Sequence, residues 1–259
     1  MTQYSDHHGP EGLLVRGTII VVPGRGETRA TYARFGGRLA ADAYRVRVID
    51  PPALDAEDPT ASLTGLAARL AEAVEGTSSK DGVVRPVVLV GADSGAAALA
   101  ALLGGAQAPA AWWPDALVLA GLPGPSAETG EDVGTWDDEL DVRTSCPTHR
   151  GNLSQDPQVR RGSLNDAIPE FVLGAAYDSE TPVPTLLLVG DSDPLADDEA
   201  LARLAKSLPL ARLSAVRGAH HDVLNDLQHR SVAAEVITFL EALRGGDPRP
   251  LITVRSSAW

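Results

Sequence analysis

A single cysteine, a shortage of cations and the lack of any long unbroken apolar run are the first things this 259-residue chain shows. With Cys146 alone no intrachain disulfide can form, which suits a reducing compartment. Lys and Arg number 22 against 35 Asp and Glu, a formal net charge of −13. Nucleic acid and anionic lipid surfaces attract clustered cations, so neither is expected as a partner. The opening MTQYSDHHGPEG lacks the basic-then-apolar order of a signal peptide, and the cytoplasm is the expected location. The uncharged stretch 95–113 is Ala-rich and is interrupted by Gly104, Gly105 and Pro109. It reads as a buried helix and its following loop rather than a membrane span.

What is present is alternation. A composition of 44% hydrophobic and 22% charged residues suits an ordinary globular protein, and the length suits one large α/β domain spanning 1–259. Short apolar runs at 17–22, 45–50, 86–91, 116–121 and 184–190 read as strands, with another at 210–217. Between them, 28–43, 62–76, 94–104 and 196–208 carry helical spacing. A long closing helix is expected over 223–244, with Val232, Val236, Phe239 and Leu243 inward. Strand–helix repetition of this kind predicts a mostly parallel, doubly wound sheet covered on both faces. Residues 123–183 break the rhythm: no strand is evident and Pro, Gly and Asp recur throughout. An insertion that long inside a compact domain is expected to be a lid or binding segment. The tail 247–259 is left as an edge strand or a contact with a second copy, so a homodimer stays open.

In such sheets ligands bind at the carboxyl ends of the strands. Chemically capable segments fall at four of those ends: PGRGE (23–27), GADSG (91–95), GDSDP (190–194) and RGAHHDVLND (217–226). GADSG has the grammar of a strand, a sharp turn and a helix, with Asp93 at the tip and Ser94 one place later. In order, the segments supply a candidate nucleophile, an acid and a histidine.

On those residues the chain resembles the α/β-hydrolase superfamily. Its similarity is to the branch holding monoacylglycerol lipases and bacterial lysophospholipases, over about residues 13–244. PGRGETRATYARFGGRLA resembles that branch's His-Gly-x-Gly-Glu segment and Tyr-bearing helix. LSQDPQVRRG (153–162) resembles its lid, and GDSDPLAD and HHDVLND its acid and histidine motifs. The resemblance implies an α/β-hydrolase fold with Asp193 as triad acid and His221 as base. It also implies an oxyanion hole formed by the backbone N–H groups of Arg25 and Ser94. Two positions depart from the pattern: Pro23 replaces the histidine of the His-Gly pair, and Asp93 stands where serine is usual.

A carboxylate attacking an ester would form an anhydride, an uphill intermediate. Attack on saturated carbon with a strained or good leaving group gives an alkyl ester instead. His221, oriented by Asp193, would then activate the water that clears it. An Asp93–His221–Asp193 set therefore predicts epoxide or halide hydrolysis of a small-molecule substrate, without cofactor or metal. Tyr177 and Tyr32 are the tyrosines available to protonate an epoxide, and Trp136 could touch substrate from the lid.

Three alternatives stay open. Ser94 could be the nucleophile of an esterase in shifted register. Asp93 could cap the helix that follows. The scaffold could serve epimerisation, elimination, cyclisation or binding. The acidic run 191–199 lacks the spacing of a calcium loop. Gly24-x-Gly26 lacks the third glycine and acidic partner of a nucleotide site. His7 and His8 are expected to be disordered, His149 to lie in the lid and His229 on a helix surface.

Overall fold

Strands that are apolar at every position need cover on both faces, and this sequence supplies helices between almost every pair. A computed structural model describes residues 4–105, 112–125 and 134–257. Seven strands form one sheet: β1 (Ser5–His7), β2 (Thr18–Val22), β3 (Arg45–Val48), β4 (Val87–Ala92), β5 (Ala116–Ala120), β6 (Thr185–Gly190) and β7 (Ala211–Val216). Their order is β1-β3-β2-β4-β5-β6-β7, parallel except for β1, which pairs antiparallel with β3.

Alternate residues of each strand enter opposite cores, as the two-residue period requires. Ile20, Leu89, Leu117 and Leu187 face a layer built with α2 (Pro59–Glu75), α3 (Ser94–Gly104), α6 (Glu170–Tyr177) and α7 (Asp198–Ser207). Ile19, Val21, Val88, Val90, Val118 and Leu186 face α1 (Ala33–Ala41) and α8 (His229–Arg244), where Phe35, Leu39, Val236 and Phe239 are buried. Between β5 and β6 lie α4 (Trp136–Arg143), α5 (Pro147–Gln155) and α6, with no strand among the described residues.

Three expectations change. His7 is ordered in β1 rather than disordered: Asp6 receives two bonds of 2.7 Å from Arg47, and His7 seats so closely on Gly36 that a Cβ there would meet its ring at 2.5 Å. The closing helix starts at His229, six residues later than the periodicity suggests. Asp226 turns inward to accept from Thr144 Oγ1 (2.7 Å), Ser145 N (2.9 Å), Cys146 N (3.1 Å) and His220 N (2.7 Å), which holds 223–228 out of helical geometry. The tail adds no edge strand: within the described residues 247–257 it carries none, and 251–257 is exposed. No described helix is long and apolar enough to cross a membrane.

The chain runs from β2 to β3 on one side, then crosses to β4 on the other. That reversal opens a crevice beyond the carboxyl ends of β2 and β4.

Candidate active site

At the end of β4 the backbone turns sharply into α3. Asp93 sits at the tip with φ 47° and ψ −120°, a conformation that costs a side-chain-bearing residue roughly 1–3 kcal/mol and persists only where surroundings enforce it. Here glycines enforce it. A Cβ at Gly91 would lie 2.7 Å from Ala96 N, and one at Gly95 would lie 2.4 Å from Val22 O. Gly24 gives way to Asp93 itself, since a Cβ there would meet Asp93 Cβ at 2.6 Å. The Asp93 N–H donates to Ala120 O at 3.0 Å, locking the tip to β5.

The loops after β6 and β7 bring the other two members. His221 Nδ1 lies 2.9 Å from Asp193 Oδ2, and His221 Nε2 lies 3.2 Å from Asp93 Oδ1. All three side chains are buried. Asp193 is steadied by Leu195 N, which donates to its Oδ1 at 2.9 Å. His221 is strapped to the end of α4 by its own N–H to Val142 O (3.2 Å) and by Asp222 N to Arg143 O (2.8 Å). The three residues singled out in the sequence thus meet at one rim.

Electrostatics defines the resting state. Burial alone would depress His221, but Asp193 and Asp93 on either side outweigh it and hold the imidazole at about 10. It is an imidazolium near neutral pH, donating to both carboxylates. Burial would raise Asp93, yet Arg25 and His221 keep it well below the usual carboxylate range.

Arg25 does more than sequence reasoning assigned to it. Its backbone N–H donates to Asp93 Oδ2 at 2.7 Å. Its side chain also grips the carboxylate, through Nε to Oδ2 (2.9 Å) and Nη2 to Oδ1 (2.8 Å). Nη1 donates to the carbonyls of Leu164 and Asp166, both at 2.8 Å. Ser94 opens α3 and lines a cavity of about 450 Å³ together with Arg25, Glu27, Gln158, Arg160 and Asp166. Asp93 and His221 instead line a separate void of about 10 Å³. The imidazole bonds the two carboxylates and makes no hydrogen bond to Ser94.

Of the residues expected to contact substrate, Tyr32 reaches the small void, where its hydroxyl donates to Glu27 Oε2. Trp136 and Tyr177 line neither cavity. Trp136 donates to Ser154 Oγ at 3.1 Å beneath the Arg161 guanidinium, and Tyr177 donates to Pro123 O at 2.8 Å. Their polar tips are spent on holding the segment between β5 and β6.

A buried ionic network beside these three residues escaped the sequence reading. Arg143, 1% exposed, donates to Glu139 (2.9 Å), Ser163 Oγ (3.0 Å), the Arg25 carbonyl (2.8 Å) and Asp222 (3.4 Å). His149 is buried in α5, with Nε2 2.8 Å from Asp222 Oδ2. His229, expected on a helix surface, is half-buried at the start of α8. Glu27, His149 and Asp222 approach within 4.8 Å, close enough to share a cation. Both Asp222 oxygens and Glu27 Oε2 already receive donors, and Arg143 pairs with Asp222, so the cluster carries its own positive charge. The Glu139–Arg143 spacing of four was the available sequence signal.

Burial and the neighbouring Asp222 push Glu27 up to about 7, while it accepts from Gly24 N at 2.8 Å. Its folded value exceeds the ordinary 4.5, so wild-type stability falls as pH rises from 4.5 to about 7. Glu27→Gln keeps the acceptor and removes the titration. Its melting temperature relative to wild type is expected to climb across that window and level off above it; a pH-independent difference would contradict the assignment.

The alpha/beta hydrolase family matches residues 19–236, and the chain belongs to it. It is thus a hydrolase by family, with its reaction to be read from the site. No curated protein matches the sequence. Among solved structures, a soluble variant of monoglyceride lipase from Saccharomyces cerevisiae, in complex with a substrate analog, superposes with TM-score 0.72 at 15% identity. That match covers 92% of this chain and 90% of that one. The monoacylglycerol lipase of Paleococcus ferrophilus gives 0.69 at 16%, covering 93% and 98%. The enol-lactonase of Burkholderia xenovorans LB400 gives 0.60 at 15%, covering 93% and 96%. At these identities the likeness speaks to fold alone.

Proposed function

We propose that the protein hydrolyses a small molecule bearing an epoxide or a halide on saturated carbon, through an ester to Asp93. The observation that carries this reading is the carboxylate at the elbow tip, 3.2 Å from an imidazole that Asp193 orients. Oδ1 attacks carbon, and the carbon–oxygen or carbon–halogen bond breaks with its electron pair on the leaving group. A halide departs as the anion; an opened epoxide takes a proton from the imidazolium. Oδ2 becomes the ester carbonyl, already facing the Arg25 N–H that would hold the oxyanion of the second step. Esterification removes the Asp93 charge and with it part of what holds His221 protonated. The imidazole, having given up its proton to the alkoxide or to solvent, then acts as base for water attacking the ester. Within the 123–183 segment, where 126–133 lie outside the described residues, the rest acts as the lid: Gln158, Arg160, Asp166, Ala167 and Ile168 wall the larger cavity.

A second reading has its own observation. The Arg25 guanidinium neutralises Asp93, as a scaffold turned to non-hydrolytic chemistry or binding would permit. Ser94, which lines the larger cavity, keeps the esterase reading in play. One experiment separates them. After a single turnover in oxygen-18 water, the peptide containing residues 91–97 is weighed. Two mass units gained at Asp93 are expected. No label, with activity lost in Ser94→Ala, supports the esterase; turnover surviving Asp93→Ala and Ser94→Ala together removes covalent catalysis.

A further inference from the structure

Both oxygens of Asp93 are occupied. Oδ2 receives Arg25 N and Nε, and Oδ1 receives Arg25 Nη2 and His221 Nε2. A carboxylate so engaged is a poor nucleophile, and it is Arg25, bonded to it, and not Asp93 that lines the larger cavity. Moving Arg25 aside without a replacement partner would strand a buried cation, costly enough to forbid the motion. A neutral substrate offers no such replacement. A carboxylate does, because its two oxygens match the planar fork of guanidinium donors.

The surroundings permit that exchange. Nη1 is tethered to the carbonyls of Leu164 and Asp166, so the head can pivot about this nitrogen while staying anchored. The other cation of the cavity wall, Arg160, is paired with Asp166 at an exposed rim and leaves Arg25 as the buried recognition group. Asp166 and Glu27 share the lining, which favours a single negative charge over a dianion.

We infer that the 450 Å³ cavity is a carboxylate subsite, and that the substrate's own carboxylate takes the Nε–Nη2 edge of Arg25 from Asp93, unmasking the nucleophile. The catalytic meaning of this exchange rests on the nucleophile reading above; the binding itself does not. The substrate class narrows to a monocarboxylic acid carrying the epoxide or halide.

Asp93 is therefore an internal competitor for the ligand, and deleting its charge should improve binding. Calorimetry with 3-phenylpropionate, and with 3-phenylpropionamide as its neutral match, tests this on the full-length protein. Asp93→Asn is expected to bind the carboxylate on the order of tenfold or more tightly than wild type, because the competent Arg25 state no longer has to be released. The amide should gain nothing, and Asp93→Asn with Arg25→Gln should lose the gain. Equal carboxylate affinity in wild type and Asp93→Asn, or an equal gain for the amide, overturns the inference. Should Asp93→Asn fold poorly, the wild type supplies the test: the Arg25 Nε–H nitrogen resonance should shift with 3-phenylpropionate and stay put with the amide. A resonance that moves with both or neither counts against the subsite. Oxygen-18 in Asp93 without carboxylate preference would sink this inference alone; carboxylate preference without label would sink the nucleophile and leave the subsite.

Discussion

His221→Gln is expected to stall after one event, with the substrate's carbon skeleton left on Asp93. The imidazole is needed as base only in the second half of the reaction, when water must lose a proton to attack the ester. In the proposed reaction of a halide substrate, attack by Asp93 Oδ1 on carbon needs neither base nor acid. With such a substrate the variant should therefore release about one halide ion per chain and then slow by roughly 10²–10⁴-fold, the usual worth of a positioned general base. Intact-protein mass spectrometry would show the added alkyl group, and digestion would place it within residues 91–97. Glutamine retains a hydrogen-bonding partner for Asp193, whose side chain is otherwise fully enclosed, so folding is checked by thermal melting alongside. Complete loss of the halide burst in a folded variant would assign His221 to the attack step and overturn the two-step scheme. Continued turnover at the wild-type rate would remove it from the chemistry.

The largest stability effect is expected at Arg143. Its three nitrogens donate to Glu139, Asp222, Ser163 and the Arg25 carbonyl, and both carboxylate partners are almost as enclosed as the guanidinium. Arg143→Met leaves two buried acids without their cation, a change that typically costs roughly 3–5 kcal/mol. Urea unfolding should show that loss as a lower midpoint with little change of slope. Arg143→Lys should recover only part of it, since a point charge cannot serve partners on three sides. A loss within the range of exposed pairs, about 1 kcal/mol or less, would show that the network is solvated in solution.

How much of this was legible beforehand follows from the range of the interactions. The strands were readable because full burial writes itself as unbroken β-branched and leucine runs, as in TIIVV and TLLLVG. The elbow was readable because Gly91 and Gly95 mark where backbones touch. The order Asp93, Asp193, His221 carried the convergence at strand ends, since that edge of a parallel sheet collects every second loop. What could not be read was long-range pairing of charges. Nothing local to Arg25 says that its side chain, and not only its N–H, meets a residue 68 positions away. Asp226 likewise looked like part of a helix because its inward hydrogen bonds come from residues some 80 positions earlier. Trp136 and Tyr177 were placed by residue type and by their position in the lid segment, and neither says which way a ring points.

The strain at position 93 belongs to its neighbours. Close approaches at 91 and 95 dictate the backbone there, and both are to main-chain atoms, so the side chain at the tip takes no part in setting them. Another side chain could therefore stand at the tip without rebuilding the sheet, provided that the residue at position 25, whose guanidinium grips the present one, changed to suit it.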